Sequence, residues 1–283
     1  MRIDLHTHSW VSDGTQAPAV LVAEAASAGL DVVALTDHDQ SAGWDEARRE
    51  AVRRGIGWLG GIEITCRVPA TGVSVHMLAY LVDPEHTELV QCLGELRASR
   101  DGRARAMVER LSEDFPVEWG DVVAQTQDGA TIGRPHIADA LVAAGIVADR
   151  DEAFARILSP RGPYYVGQPA LDPSEAVRLI HRAGGVAVMA HPAAGSRGRI
   201  IAPGDLLRVV EAGLDGVEVY HRDNAEQGRH DLLALAHHHG LIVTGSSDYH
   251  GAGKPNLLGE NVTAHEQLER ILELATGSEA VGL

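Results

Sequence analysis

The chain has 283 residues, 45% of them hydrophobic and 23% charged, which suits one large soluble barrel, plain or with an insertion, and excludes disordered and fibrous classes. Twenty-four basic against 40 acidic side chains leave a net charge of −16, which argues against a broad nucleic-acid-binding face but not against an anionic substrate held by cations in a cleft. No apolar run reaches the ~18–20 residues of a membrane span, and an aromatic content of 4% removes base-stacking platforms as a first reading.

In chain order, short apolar runs alternate with longer amphipathic stretches, the pattern of strands and crossover helices around a parallel sheet. The opening residues lack the basic flank and apolar stretch of a signal peptide. Strands are predicted over Arg2–Leu5, Asp31–Thr36, Gly57–Thr65, Val73–Val82, Gly185–Ala190, Gly216–Tyr220 and Leu241–Gly245. Helices are predicted over Ala17–Ala28, Trp44–Arg54, Pro173–Ala183, Pro203–Ala212 and Ala225–His239. Asp172 before Pro173 reads as an N-cap with proline at the first helical position. Gly55 and Gly240 each follow a helix, where a positive φ is wanted. Cys66 and Cys92 stand alone with no framework spacing, which suits a reducing cytoplasm.

The regularity breaks between about Arg97 and Leu171. A long charged helix (Glu85–Leu111) leads there into short helical pieces and turn residues. This predicts a barrel domain, 1–97 and 173–283, with a helical insertion, 98–172, standing over one end of it as a substrate cap. No internal repeat or low-complexity segment interrupts the chain.

Seven of the 15 histidines fall within or just after a predicted strand: His6, His8, His38, His76, His191, His221 and His250. Side chains at the carboxyl ends of barrel strands converge on one site. His6 and His8 are two apart on an extended segment, so both rings point to one face; Asp248 and His250 repeat that spacing after the last strand. Glu63 ends the third strand, and Asp13 lies in the loop after the first. Alone, a strand histidine such as His76 is ordinarily a hydrogen-bonded core residue. Nine Asp, Glu and His residues at the same end of successive strands are instead the donor set of zinc, manganese or iron. His237, His238 and His239 close a helix at its negative end and stay outside the site. His181, His230, His86 and His265 stay outside it too.

These residues resemble a known family. Asp4-Leu5-His6-Thr7-His8-Ser9, Ser12-Asp13-Gly14, Thr36-Asp37-His38-Asp39, Gly61-Ile62-Glu63, His76, Ala190-His191-Pro192 and Ser247-Asp248-Tyr249-His250 are similar to the motifs of the PHP (polymerase and histidinol phosphatase) superfamily. The resemblance covers the whole chain. It implies an α/β fold, a distorted (β/α)7 TIM-like barrel, with three divalent metal ions. Gly133-Arg134-Pro135-His136-Ile137-Ala138 looks like the branch of 3′,5′-nucleoside bisphosphate phosphatases and enzymes that trim the 5′ ends of short RNA. Carried over by position, the first metal takes His6, His8, Glu63 and Asp248. Glu63 bridges to a second, held also by His76 and His191, and the third takes Asp13, His38 and His250. Asp13 stands where many members have histidine, which favours the nucleotide phosphatases over histidinol phosphatases. Asp37 reads as a residue that orients an imidazole from behind.

The implied reaction is hydrolysis of a phosphomonoester of a small nucleotide by attack of a metal-bridging hydroxide. Three divalent ions, three ligating carboxylates and one hydroxide leave +2, which balances a phosphate dianion. Arg134 and His136 are the best phosphate contacts, since arginine offers a bidentate fork. His221 binds phosphate or protonates the leaving group, and Arg197, in a glycine-rich loop, is a weaker contact. Lys254, the only lysine, lies too late in the chain to bridge metals as in carboxylated-lysine amidohydrolases; Glu63 fills that role. Two alternatives stand: a 5′→3′ exonuclease with the same metals, and a non-catalytic metal-binding PHP module. No membrane or stable nucleic-acid partner is expected, and the oligomeric state is open.

Overall fold

The structure, a computed structural model, describes residues 1–127, 129–167 and 170–283, apart from the side chain of Arg197. Seven strands follow one another in a single sheet in chain order. They are β1 (Ile3–Asp4), β2 (Val32–Leu35), β3 (Gly57–Arg67), β4 (Ser74–Tyr80), β5 (Val186–Ala190), β6 (Gly216–Tyr220) and β7 (Ile242–Gly245). A parallel bridge between Thr7 and Tyr249, just past β1 and β7, brings the two edges together and rounds the sheet into a barrel. The helices are α1 (Pro18–Ser27), α2 (Trp44–Arg54), α3 (Thr87–Leu111), α4 (Trp119–Val123), α5 (Arg134–Ala143), α6 (Arg150–Arg156), α7 (Pro173–Arg182), α8 (Pro203–Glu211), α9 (Glu226–His239) and α10 (His265–Leu274). No helix among the described residues is long and apolar enough to cross a membrane.

Local sequence explains these elements. α2 carries Asp45 and Glu46 in its first turn and Arg53 and Arg54 in its last, which matches the helix dipole, and Gly55 closes it at φ 69°. Asp172 caps α7 by accepting from the amides of Ser174 and Glu175 at 2.8 and 3.2 Å. Strand residues alternate between two cores. Ile3, Leu5, Val32, Ala34, Leu59, Leu78, Val188 and Ile242 fill the barrel with Leu268 and Ile271 of α10. Val33, Leu35, Ile62, Ile64, Met77, Ala79, Ala187 and Met189 face outward to the helices.

One strand departs from the parallel expectation. β4 is antiparallel to both β3 and β5, because a hairpin, not a helix, joins it to β3. The reversal puts the start of β4, where His76 sits, at the mouth formed by the ends of the other strands. His76 faces Thr65 near the end of β3 and Ala190 at the end of β5.

Residues between β4 and β5 build a third apolar cluster of their own, from Ala104, Met107 and Leu111 to Ile137, Leu141, Ala153 and Leu158. Helix α3 runs without a break from Leu89 in the outer barrel core to Leu111 in this cluster, so the predicted boundary at 97/98 falls inside a helix. Residues of this stretch touch the loops at the mouth. Thr131 donates its amide to Val11 O at 3.0 Å, and the Arg150 guanidinium reaches Asp13 O and Gly253 O at 3.4 and 3.3 Å.

Candidate metal centre

Three strands position the inner donors. His6 and His8 follow β1, Glu63 lies on β3, and Asp248 follows β7 in a left-handed conformation (φ 53°). All four are buried. His6 Nε2 lies 3.1 Å from His8 Nε2, 3.3 Å from Glu63 Oε2 and 3.5 Å from Asp248 Oδ1. His8 Nε2 stands 3.0 Å from that glutamate oxygen and 3.3 Å from that aspartate oxygen.

Glu63 looks two ways. Its Oε2 faces His6, His8 and, at 3.3 Å, His38 Nδ1. Its Oε1 faces His76 Nδ1 at 2.6 Å and His191 Nε2 at 3.2 Å. On the far side, Asp13 Oδ1 stands 3.2 Å from His250 Nε2 and 3.6 Å from His8 Nδ1. The structure therefore gathers all nine donors named from the sequence into one pocket. Their grouping is finer than the sequence allowed. His38 faces Glu63 through Nδ1 and Asp13 Oδ2 through Nε2, at 3.7 Å, and His8 also lies beside Asp13 and His250, its Nδ1 3.6 Å from Asp13 Oδ1.

The electrostatics are those of donors pressed together. Burial disfavours charge on His6 and His8, yet surrounding carboxylates win: His6 is raised well above the ordinary imidazole value and His8 to about 9. Burial and Arg100 hold His38 low, while burial and Lys254 hold His250 down to about 4. Glu63 and Asp13 stay ionised despite burial because imidazoles face them.

Divalent cations fit this set. Donors about 2.0–2.2 Å from one tetrahedral ion stand roughly 3.3–3.6 Å apart, and the spacings round His6, His8, Glu63 and Asp248 run from 3.0 to 3.5 Å. The buried ring nitrogens His38 Nδ1 and His250 Nε2 have no hydrogen-bond partner among the described residues, although carboxylates flank both. His250 Nδ1 donates to Asp248 O at 2.8 Å, which leaves Nε2 its lone pair.

A sequence profile of the PHP domain matches residues 4–113. The 3′,5′-nucleoside bisphosphate phosphatase of Chromobacterium violaceum is 34% identical over 259 residues, 89% of this chain and 88% of its own. The chain belongs to the PHP family. The 5′-3′ exoribonuclease of Haemophilus influenzae is 35% identical over 68% of this chain and 69% of its own. A crystal structure from Bifidobacterium adolescentis, assigned to the metal-dependent phosphoesterases, is 45% identical, covers 97% of this chain and 96% of its own, and superposes with a TM-score of 0.94. The protein is thus a metal-dependent phosphoesterase with the seven-stranded PHP barrel.

Around the PHP donors, other predicted residues take distinct places. Asp37 is buried and accepts from Ser9 N at 2.9 Å, Ser9 Oγ at 2.6 Å and Ser12 Oγ at 2.6 Å. Ser12 Oγ lies 3.3 Å from His8 Nδ1, so Asp37 reaches the imidazole through a serine and not directly. His221 is buried, its Nδ1 accepts from Asp223 N at 3.0 Å, and its Nε2 lies 3.6 Å from Asp248 Oδ2. His136 Nδ1 accepts from Gly133 N at 3.1 Å, which commits one ring nitrogen to the start of α5. Arg134 lies over Phe154 and Tyr165. The Arg197 side chain lies outside the described residues, and its backbone ends a short 3-10 turn.

Sequence reasoning passed over three residues. Glu218 on β6 is fully buried; its Oε1 accepts from His6 Nδ1 at 3.0 Å and its Oε2 from His191 N at 2.8 Å. The second bond holds His191 at φ 30°, in the left-handed region. The signal was a lone charge inside Gly216–Tyr220, a strand otherwise apolar. Asp4 accepts from Ser247 N and Gly259 N at 3.0 and 2.8 Å, which ties the first strand to the loop after the last. Lys254, set aside as a bridge, donates to Asp248 Oδ2 at 2.9 Å.

Proposed function

We propose that the protein removes a phosphate group from a small nucleotide, a 3′,5′-nucleoside bisphosphate or a nucleoside monophosphate. Three divalent cations of manganese, zinc or iron type are held by His6, His8, Asp13, His38, Glu63, His76, His191, Asp248 and His250. The observation that carries this reading is the divided aim of Glu63, whose two oxygens face two separate sets of imidazoles. Bound there, such cations would supply positive charge to the phosphoryl oxygens and lower the pKa of a water towards 7. Glu218, Asp37 through Ser12, and the Asp248 carbonyl fix the rings whose free nitrogens face the centre. His221, beside Asp248 and 5.2 Å from the His191 ring, is placed to give a proton to the departing oxygen. Arg134 and His136 bind substrate from the insertion, residues 98–172, which caps the mouth. The free thiols Cys66 and Cys92 suit a reducing cytoplasm.

Likeness to the Haemophilus influenzae exoribonuclease supports a second reading, stepwise removal of 5′ nucleotides from short RNA. One screen separates the two. Manganese-loaded protein is offered 3′,5′-bisphosphates, monophosphates, histidinol phosphate and a 5′-labelled oligonucleotide, before and after chelation. Chelator-sensitive release of phosphate from the bisphosphate is the expected result. Release that survives chelation and His191→Ala refutes the proposed centre, and ladder formation on the oligonucleotide alone favours the exonuclease.

A further inference from the structure

Asp13, His38 and His250, the donors that the family resemblance gives to the third cation, lie outside the strands. Asp13 sits in the turn after β1, His38 beyond β2 and His250 in the loop after β7. A donor carried by a loop keeps its place only if neighbouring groups fix the backbone beneath it.

The stretch between β4 and β5 reaches all three loops. Thr131, which is buried, donates its hydroxyl to His38 O at 3.3 Å and its amide to Val11 O at 3.0 Å. That hydroxyl accepts from Gln40 Nε2 at 2.6 Å, which leaves its proton for the His38 carbonyl. Arg150, the first residue of α6, is gripped by Asp139 of α5, with Nε and Nη2 each 2.6 Å from a carboxylate oxygen. Its remaining nitrogen, Nη1, turns to the barrel and is shared between Asp13 O at 3.4 Å and Gly253 O at 3.3 Å. Gly253 N in turn donates to His250 O at 3.3 Å. The fit is close, since a Cβ at Gly253 would collide with Arg150 Nη1. Asp139 balances the guanidinium charge, so Arg150 acts here as a hydrogen-bond donor and not as a bare cation beside the donor set.

These bonds converge on one group of donors. Two of them end on the carbonyl oxygens of Asp13 and His38 themselves. The side chains of the group face one another, with Asp13 Oδ1 3.2 Å from His250 Nε2 and Asp13 Oδ2 3.7 Å from His38 Nε2. We propose that Arg150 and Thr131 are positioning residues for the third cation, which is held in full only while the stretch between β4 and β5 stays docked on the mouth. The inference rests on the proposed function, in which Asp13, His38 and His250 share an ion. The coupling is reciprocal: docking favours the ion, and the ion favours docking by the same factor.

Wild type, Arg150→Met/Asp139→Asn and Thr131→Val are loaded with manganese, dialysed and analysed for metal, with a thermal melt of each metal-free protein as the fold control. The double variant removes the carboxylate that a lone Arg150→Met would leave unpaired, and Thr131→Val keeps the shape of the side chain. Each variant should hold its weakest ion about 10–100-fold less tightly, so that about one ion per chain is lost while the inner ions stay. Hydrogen exchange with and without manganese reads the coupling from the other side. Loading should slow exchange of the α5 and α6 amides about tenfold in the wild type, and much less in either variant. Folded variants that match the wild type in metal content and in this slowing overturn the inference. So does loss of all the ions together, or exchange at α5 and α6 that loading leaves unaltered in the wild type. A wild type that holds fewer than three ions refutes the three-cation reading, while slowing that the variants abolish still supports the link from Arg150 and Thr131 to the centre.

Discussion

Glu218→Gln removes one charge and almost no volume from the support of two metal donors. In the native site one carboxylate accepts two hydrogens, from His6 Nδ1 and from His191 N, at 3.0 and 2.8 Å. A glutamine amide has one carbonyl, so its NH2 end must meet one of those donors head-on. Either His6 turns its other tautomer toward Glu63, losing the lone pair that faces the centre, or His191 loses the clamp on its left-handed backbone. A hydrogen bond to a charged group contributes about 1.5–3 kcal/mol, and loss of such an outer contact lowers metal affinity roughly 10–100-fold. Glu218→Ala loses both bonds and leaves a void, so it should fall at the severe end. The assay is competition of manganese or zinc against a chromogenic chelator, with elemental analysis of dialysed protein and a thermal melt as a fold control. Wild-type affinity and full metal content in both folded variants would refute the assignment of Glu218 as the residue that sets the His6 tautomer.

Protonation should compete with metal. The His8 imidazole is raised from 6.5 to about 9 in the metal-free fold, so its proton adds stability below pH 6.5 that is lost as pH climbs through 9. For this one buried residue the loss is on the order of 3 kcal/mol. The metal-free protein should therefore melt several degrees lower at pH 9 than at pH 6.5, while chelator competition shows metal affinity rising over the same window. A metal-free melting temperature that is flat across that window would contradict the His8 assignment. Gly60→Ala tests the packing beneath the mouth. The added carbon would stand 2.7 Å from the Trp44 ring, whose Nε1 donates to Gly61 O at 3.0 Å. It should cost about 1–3 kcal/mol, read as a lower midpoint in urea, and an unchanged midpoint would show that Trp44 yields freely.

Spacing made much of the centre readable. The two-residue interval of His6 and His8 determines a shared face on any extended backbone, and the same holds for Asp248 and His250. The end of β5 likewise located His191, whereas β3 runs on past Glu63 to Arg67 because its second half pairs with β4. Direction was not readable: alternation in Val73–Val82 is identical whether a strand runs up or down, so the reversal of β4 emerged only from pairing. Which imidazole meets which carboxylate depends on ring rotation, which residue spacing does not encode; hence His8 joins His38 beside Asp13, 3.6 and 3.7 Å away. Glu218 escaped notice because a single acid in a short strand ordinarily marks a solvent face. Here that face lines the barrel mouth.

The bridge from Thr7 to Tyr249 bears on the order of events during assembly. His6 and His8 meet Asp248 only after the first and last strands have come together, the contact of greatest sequence separation in the barrel and the dearest in chain entropy. A cation therefore finds its full cage late, when most of the chain is already ordered. Unlike a zinc finger, this molecule cannot use the ion as a seed for folding; loading should leave the refolding rate almost untouched and slow the rate at which the closed ring comes apart.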